Sequence, residues 1–218
     1  MDKSIMLHKL HDLFDEGRFL DTVMAAQGLL KDDHPEVREK AMFLTALSQF
    51  QTKSYKLSHK SFQDLCCAFD VPSNYFYLAV SYLPLQDLQT AESTFDHALE
   101  SLKVHPSPSA SLNQYQGYFL YVRSLLDFGF RTESHQRFQE IDQLYRSFDA
   151  RRSSELYYSG VPSFREFFDL GESVFRRAEA QVERHRWISL WQEEFALRKD
   201  DVHQKLLSDV VLRFKKGS

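Results

Sequence analysis

The feature that most constrains the fold of this chain is a pattern of large apolar and small residues that recurs four times. In its clearest copy, residues 75–99, a helical stripe containing Ala79 is followed by a second stripe containing Ala91. Small residues at these points let two helices cross closely, while Tyr75 and Phe95 fill the space around them. Successive copies lie 36, 33 and 43 residues apart. We therefore expect four stacked helix pairs.

Composition supports this expectation. The 218 residues include only seven Gly and six Pro, too few for the turns of sheet-rich folds or for glycine-rich phosphate loops. Aromatic residues make up 14% of the chain, which is enough for a sizeable core. Gly17 and Gly129 fall where the chain must turn between the helices of a pair, a position that favours a residue free to take a positive φ. The sequence predicts an all-α protein.

The four copies resemble tetratricopeptide repeats, and the resemblance implies a right-handed superhelix of about four helix pairs. The predicted repeats cover about residues 4–35, 40–70, 73–103 and 112–148. A Pro- and Ser-rich segment at 104–111 and a turn-like segment at 149–163 are expected to be loops. Helical patterns over 164–218 are expected to cap the open end of the last repeat, and the whole chain is expected to form one structural domain.

Charge and cysteine content exclude several classes of function. The formal net charge of −4 argues against a nucleic-acid or anionic-membrane binder, which needs a basic excess. No segment approaches the ~18 apolar residues of a membrane span. Cys66 and Cys67 are adjacent and form no disulfide framework, which favours a reducing compartment. We expect an intracellular protein, cytoplasmic or nuclear.

The sequence offers no catalytic or cofactor motif. It contains no GxGxxG, GxxxxGK[ST], GxSxG or HExxH pattern. His8 and His11 stand three residues apart, but nothing nearby completes a metal-ligand set. We expect no cofactor, no metal and no enzymatic activity.

In the repeat family, the first helix of each pair faces a concave groove, and the resemblance assigns positions of this chain to it. The apolar groove residues are Leu7, Phe14, Phe43, Leu47, Phe50, Phe76, Val80, Leu83, Phe119 and Leu126. The polar ones are His11, Lys40 and Arg123. Lys40 and Arg123 are too few and too far apart for the cationic clamp with which relatives hold acidic chaperone tails. The resemblance therefore predicts an amphipathic helix or an apolar extended segment as the ligand.

Three occupants of this groove remain open. One is the chain's own last helix, which carries Val202, Leu206, Val210 and Phe214 at i,i+4 spacing. Another is a second copy, because residues 10–100 are similar to the N-terminal dimerising domains of repeat-containing scaffold subunits of the anaphase-promoting complex. The third is a foreign apolar segment, as in the repeat-type chaperones of type III secretion translocators.

The expected function is that of a scaffold or adaptor that binds protein, either a partner or a second copy in a homodimer. An alternative of a different class is a helical regulator or enzyme with a small ligand in the groove. For that alternative, His11, Lys40 and Arg123 are the candidate polar contacts.

Overall fold

The structure, a computed structural model, describes residues 3–104, 112–147, 160–177, 180–198 and 200–216. These residues form helices joined by turns, without a strand among them, which confirms the all-α prediction. Backbone packing divides the chain into two compact units, Met1–Ser111 and Leu112–Ser218, whereas the sequence predicted one domain. The division falls at the end of the Pro- and Ser-rich segment, a composition typical of linkers. Residues 105–111 of that segment, and residues 149–159 of the predicted second loop, lie outside the described residues.

Six α-helices make up the described part of the first unit. They are α1 (Lys3–Asp15), α2 (Phe19–Ala26), α3 (Pro35–Gln51), α4 (Tyr55–Ala68), α5 (Pro72–Tyr82) and α6 (Leu88–Val104), with a short 3-10 turn at Leu83–Leu85. Each helix packs on the next one along the chain, and α1 also packs on α3. Pro35 and Pro72 stand in the first turns of α3 and α5, where a missing backbone N–H costs nothing.

The second unit contains five described helices. They are α7 (Gln114–Asp127), α8 (Arg131–Ser147), α9 (Phe164–Arg177), α10 (Gln181–Arg198) and α11 (Asp201–Lys216). Helix α9 packs on both helices of the α7–α8 pair, and α10 and α11 pack on α9 and on each other. Asp200 caps the start of α11, where its Oδ1 accepts a hydrogen bond from the His203 N–H.

All four helix pairs turn in the same way. The turn residues Gly17, Lys53, Gln86 and Gly129 have φ values of +75°, +59°, +62° and +90°, and they lie 36, 33 and 43 residues apart, the spacings of the sequence pattern. In each turn this residue donates its N–H to the carbonyl three residues back. The next residue donates to the carbonyl five residues back, as in Gly17 to Phe14 and Arg18 to Leu13. This is the Schellman arrangement that ends a helix.

The second helix of each pair then places a small residue at the crossing point, and in the last three pairs a phenylalanine (Phe62, Phe95 or Phe138) follows a turn later. Thr22, Ser58, Ala91 and Ser134 follow the turn residue by five positions and are fully buried. In the second pair the Ser58 hydroxyl donates to the Ala46 carbonyl across the crossing at 2.9 Å, which the absence of a larger side chain permits. The turn therefore sets the register in which the two helices pack. Family membership and the superhelix expected from the resemblance stay predictions.

An aromatic cluster around Asp142 holds the last helices onto the α7–α8 pair. Asp142 Oδ1 accepts hydrogen bonds from the indole nitrogens of Trp187 and Trp191, each at 2.7 Å. Its Oδ2 accepts from Arg146 Nε at 2.8 Å, and the Arg146 guanidinium lies 4.5 Å from the centre of the Trp191 ring. One carboxylate in α8 thus fixes both tryptophans of α10.

The core of this unit leaves little space beside Gly171 of α9. A Cβ added there would lie 2.6 Å from Trp187 and 2.7 Å from Phe138. Phe164, Phe168, Gly171 and Phe175 form one stripe of α9 and are all buried, whereas Val182, which continues this spacing into α10, is 78% exposed. The predicted stripe of α11 is only partly buried, since Val210 is enclosed whereas Val202 is 76% exposed. Leu207, which is not a member of that stripe, is fully buried.

We predict that Gly171→Ala destabilises the second unit by about 1–3 kcal/mol, because the added methyl group must displace rigid aromatic rings. Both tryptophans of the protein lie in this unit, so urea unfolding followed by tryptophan fluorescence reports on it. The matched control is Ser173→Ala, a change at an exposed position of the same helix. Equal stability of the two variants would contradict the packing described around Gly171.

Asp142→Ala should cost about 3–5 kcal/mol, because it leaves two buried indole N–H groups and a partly buried guanidinium without their acceptor. The control Asp127→Ala removes an exposed ion pair with Arg177 and should change stability by no more than about 1 kcal/mol. The measurement is again urea unfolding with tryptophan fluorescence. A cost no greater than that of the control would show that Asp142 does not organise this core.

Candidate binding surface

In the first unit, the predicted groove residues of α1 and α3 are partly covered by their own core. Leu7, Phe14, Phe43 and Leu47 are half-buried and pack on the two hydrophobic clusters of this unit. The Phe43 ring lies 4.8 Å from that of Tyr77 in α5. These side chains serve first as packing between helices and leave a small apolar surface at their edges.

Two of the predicted groove phenylalanines have a further structural role. Phe14 and Phe50 hold edge-to-face contacts with Phe19 and Tyr55, at ring separations of 5.4 and 5.3 Å. Each contact spans the turn between the two helices of a pair. The two residues of the second contact follow those of the first by 36 positions, which is the spacing of the first two repeat copies. Phe14 and Phe50 therefore brace the turns in addition to facing the predicted groove.

The predicted groove residues of α5 and of the 3-10 turn are not accessible. Phe76 and Leu83 are fully buried and Val80 is 5% exposed, so none of the three lines an open groove as the resemblance implied. Phe76 packs on Phe95 of α6 at 5.5 Å, which accounts for its burial. The polar groove residues His11 and Lys40 are exposed.

In the second unit, two of the three predicted groove residues line an open cleft, which we call the α7 cleft. Phe119 forms part of its floor and Arg123 part of its rim, whereas Leu126 is buried at 6% exposure and does not line it. The cleft has a volume of about 690 Å3. Its lining residues are Gln116, Phe119, Arg123, Gly160, Val161, Pro162, Ser163, Phe164, Glu166 and His203.

Helix α7 presents three of these side chains on one stripe, at positions i, i+3 and i+7. Gln116 closes a capping box at the start of the helix. Its side-chain Oε1 accepts from the Asn113 backbone N–H at 3.0 Å, and the Gln116 backbone N–H donates to Asn113 Oδ1. This fixes the amide orientation, so Nε2 lies beside Gly160 in the cleft wall. The repeat register also places Gln116 on the predicted groove face, and the Asn-x-x-Gln pattern is the sequence signal of its capping box.

The opposite wall is held by a second capping box. Glu166 Oε2 accepts from both the N–H and the hydroxyl of Ser163, at 2.8 and 2.9 Å, and this starts α9. The buried Tyr145 hydroxyl donates to the Pro162 carbonyl, and burial raises the pKa of this phenol well above its usual value. The wall is therefore anchored to α8 and presents the half-exposed Val161 and Pro162 to the cleft.

His203 of the last helix completes the α7 cleft. Its ring centre lies 4.5 Å from that of Phe164, and its Nδ1 lies 2.6 Å from Asp200 Oδ2. The last helix, one of the occupants considered for the groove, therefore contributes one wall residue to the cleft.

A second cleft, the α8–α10 cleft, was not visible in the sequence. It has a volume of about 440 Å3 and lies between one stripe of α8 and one stripe of α10, with Phe175 of α9 at its edge. The nitrogens His135 Nε2 and Arg146 Nη2 are inaccessible to water and lack a hydrogen-bond partner among the described residues. Burial lowers the pKa of His135. Asp142, Arg146 and Trp187, which also line this cleft, belong to the Asp142 cluster, which has a structural role.

Within the described part of the chain, no three His, Cys, Asp or Glu side chains are grouped so that they could hold a metal ion. Cys66 is buried, which raises the pKa of its thiol to about 12 and makes it a poor nucleophile at neutral pH. None of the described helices is both long and apolar enough to cross a membrane. The α7 cleft offers hydrogen-bonding groups, charged groups and apolar surface.

A comparison with known proteins gives no family: no family model matches the chain, and a search of curated proteins returned no match.

Proposed function

We propose that the chain is a non-enzymatic scaffold or adaptor that holds a segment of a partner protein in the α7 cleft. One observation carries the proposal: Phe119 and Arg123, which the repeat register places on the interacting face, line the same open cleft. A cleft with an aromatic floor and a few polar groups at its rim suits a peptide side chain and its flanking backbone. The resemblance to tetratricopeptide repeats supports the same class of function.

The first test uses random dodecapeptides displayed on phage and panned against the full chain. We expect enriched sequences that bind the full chain in solution. Binding should be lost in Arg123→Trp, because an indole at this exposed position would lie over Phe119 and fill the cleft. The control is Lys205→Trp, an equal change at an exposed position of α11 that does not line the cleft.

Two results would count against this site. One is binding of the selected peptides to Arg123→Trp with unchanged affinity. The other is a failure of any peptide to be enriched. Circular dichroism of the variants, with unchanged helical signal, separates loss of binding from loss of folding.

A second candidate function, homodimerisation, is favoured by exposed apolar side chains in the first helix pair. Leu20 and Met24 lie one turn apart on α2 and are each 70% exposed, and Ile5 on α1 is 60% exposed. Isolated exposed apolar residues are ordinary, but a neighbouring pair on one helix face suits an isologous contact. The similarity of residues 10–100 to dimerising domains supports the same reading.

This candidate predicts a mass in solution of twice the 25.7 kDa chain, measured by light scattering. The double substitution Leu20→Glu and Met24→Glu should give a monomer, because it places four carboxylates in the contact of the two copies. Leu57→Glu, at a residue 60% exposed on α4, should leave the dimer intact. A monomeric wild-type chain would rule this function out.

A further inference from the structure

The polar side chains that α7 presents to the cleft offer donors. The amide acceptor of Gln116 is already used, because Oε1 accepts from the Asn113 N–H. Within the described residues, Gln116 Nε2 makes no hydrogen bond. The Arg123 guanidinium lies 6.0 Å from the centre of the Phe119 ring and makes no ion pair among these residues. A ligand that lies along α7 must therefore bring acceptors, and a carboxylate is the acceptor that best matches a guanidinium.

The spacing of these groups along α7 adds a geometric requirement. Arg123 follows Phe119 by four residues, which is about 6 Å along a helix axis. Two residues of an extended chain span about 6.6 Å, and side chains two apart point to the same face. Gln116 lies a further three residues back, so the full row is about 10.5 Å long, or about three extended residues.

From this row we infer that the α7 cleft selects an extended segment of a partner protein in which an acidic residue stands two positions from a large apolar residue. The acidic side chain pairs with Arg123, and the apolar side chain lies beside the edge of Phe119 and packs on the half-exposed Val161 and Pro162. A backbone carbonyl about three residues from the acid accepts from Gln116 Nε2. The inference rests on the proposed function, whose site it shares, and adds the chemistry of the partner.

Glu166 sharpens this selection. It is the carboxylate in the wall opposite α7, and its position is fixed by the capping box with Ser163. An acidic residue placed beside Glu166 would meet a like charge. The cleft therefore favours a partner segment with one acidic residue, placed beside Arg123, over a segment with several consecutive acidic residues.

The test measures binding of synthetic octapeptides to the full chain by fluorescence polarisation. The peptides are acetylated and amidated, so that a side-chain carboxylate is the only anionic group. One set carries Asp and Phe two positions apart in either order in a Gly/Ser/Ala background. A second set places them in adjacent positions, and a third set replaces Asp with Asn.

We expect the spaced Asp peptides, in one of the two orders, to bind about tenfold more tightly than the Asn peptides, as loss of a charged hydrogen bond implies. The adjacent arrangement should lose a similar factor, because it turns one side chain away from α7. Arg123→Glu should abolish the preference for Asp, whereas the equal charge change Lys205→Glu should leave it intact. Gln116→Ala should weaken all spaced peptides alike, since Nε2 contacts backbone.

The outcomes separate the inference from the proposed function. Equal affinity for Asp and Asn peptides, or a preference for Asp that survives Arg123→Glu, overturns the inference. If such peptides still lose binding in Arg123→Trp, the proposed function stands. Absence of binding by every octapeptide at about 1 mM overturns the inference as well, and the phage selection then decides on the function.

Discussion

Each helix pair of this protein depends on one residue that adopts a left-handed backbone conformation. At this residue the first helix ends in a Schellman arrangement, and the direction of the second helix is set by two hydrogen bonds. The small crossing residue five positions later reaches its buried place because this turn is the same in all four pairs, and in three of them a phenylalanine nine positions later is buried as well. Two of the four turns use Lys53 and Gln86 in place of glycine, at a cost of about 1–2 kcal/mol each. That two non-glycine residues are held in this conformation indicates that packing of the helix pair outweighs local strain.

The helical class and the four turns could be predicted because they leave periodic traces in the sequence. Ala79 and Ala91 are fully buried at their crossing, as the pattern required. The turns at Lys53 and Gln86 carry no glycine, so only their spacing from Gly17 and Gly129 reveals them. The Asp142 cluster had no such trace. It joins residues 45 and 49 positions apart through single hydrogen bonds, and a single polar residue on a helix face does not differ in sequence from a solvated one.

The candidate site could be predicted only in part, for a related reason. A repeat register assigns residues to a helix face, but burial on that face depends on which neighbours cover it. Phe43 and Phe76 occupy equivalent positions, yet Phe43 keeps a partly exposed edge whereas Phe76 is enclosed against Phe95. In the second unit the same register located Phe119 and Arg123 at an open cleft, while the wall of Gly160–Ser163 and His203 came from segments without repeat character.

We propose that a partner segment lies in the α7 cleft, along the row formed by Gln116, Phe119 and Arg123. The most direct measurement is a proton–nitrogen correlation spectrum of the full chain, titrated with a peptide from the phage selection. We expect shifts of the Gln116 side-chain amide and the Arg123 Nε–H, with the indole signals of Trp187 and Trp191 unmoved, because those donors are held by Asp142. Shifts confined to the indoles, or to the helix pair that carries Leu20 and Met24, would place the partner elsewhere and exclude the α7 cleft as its binding site.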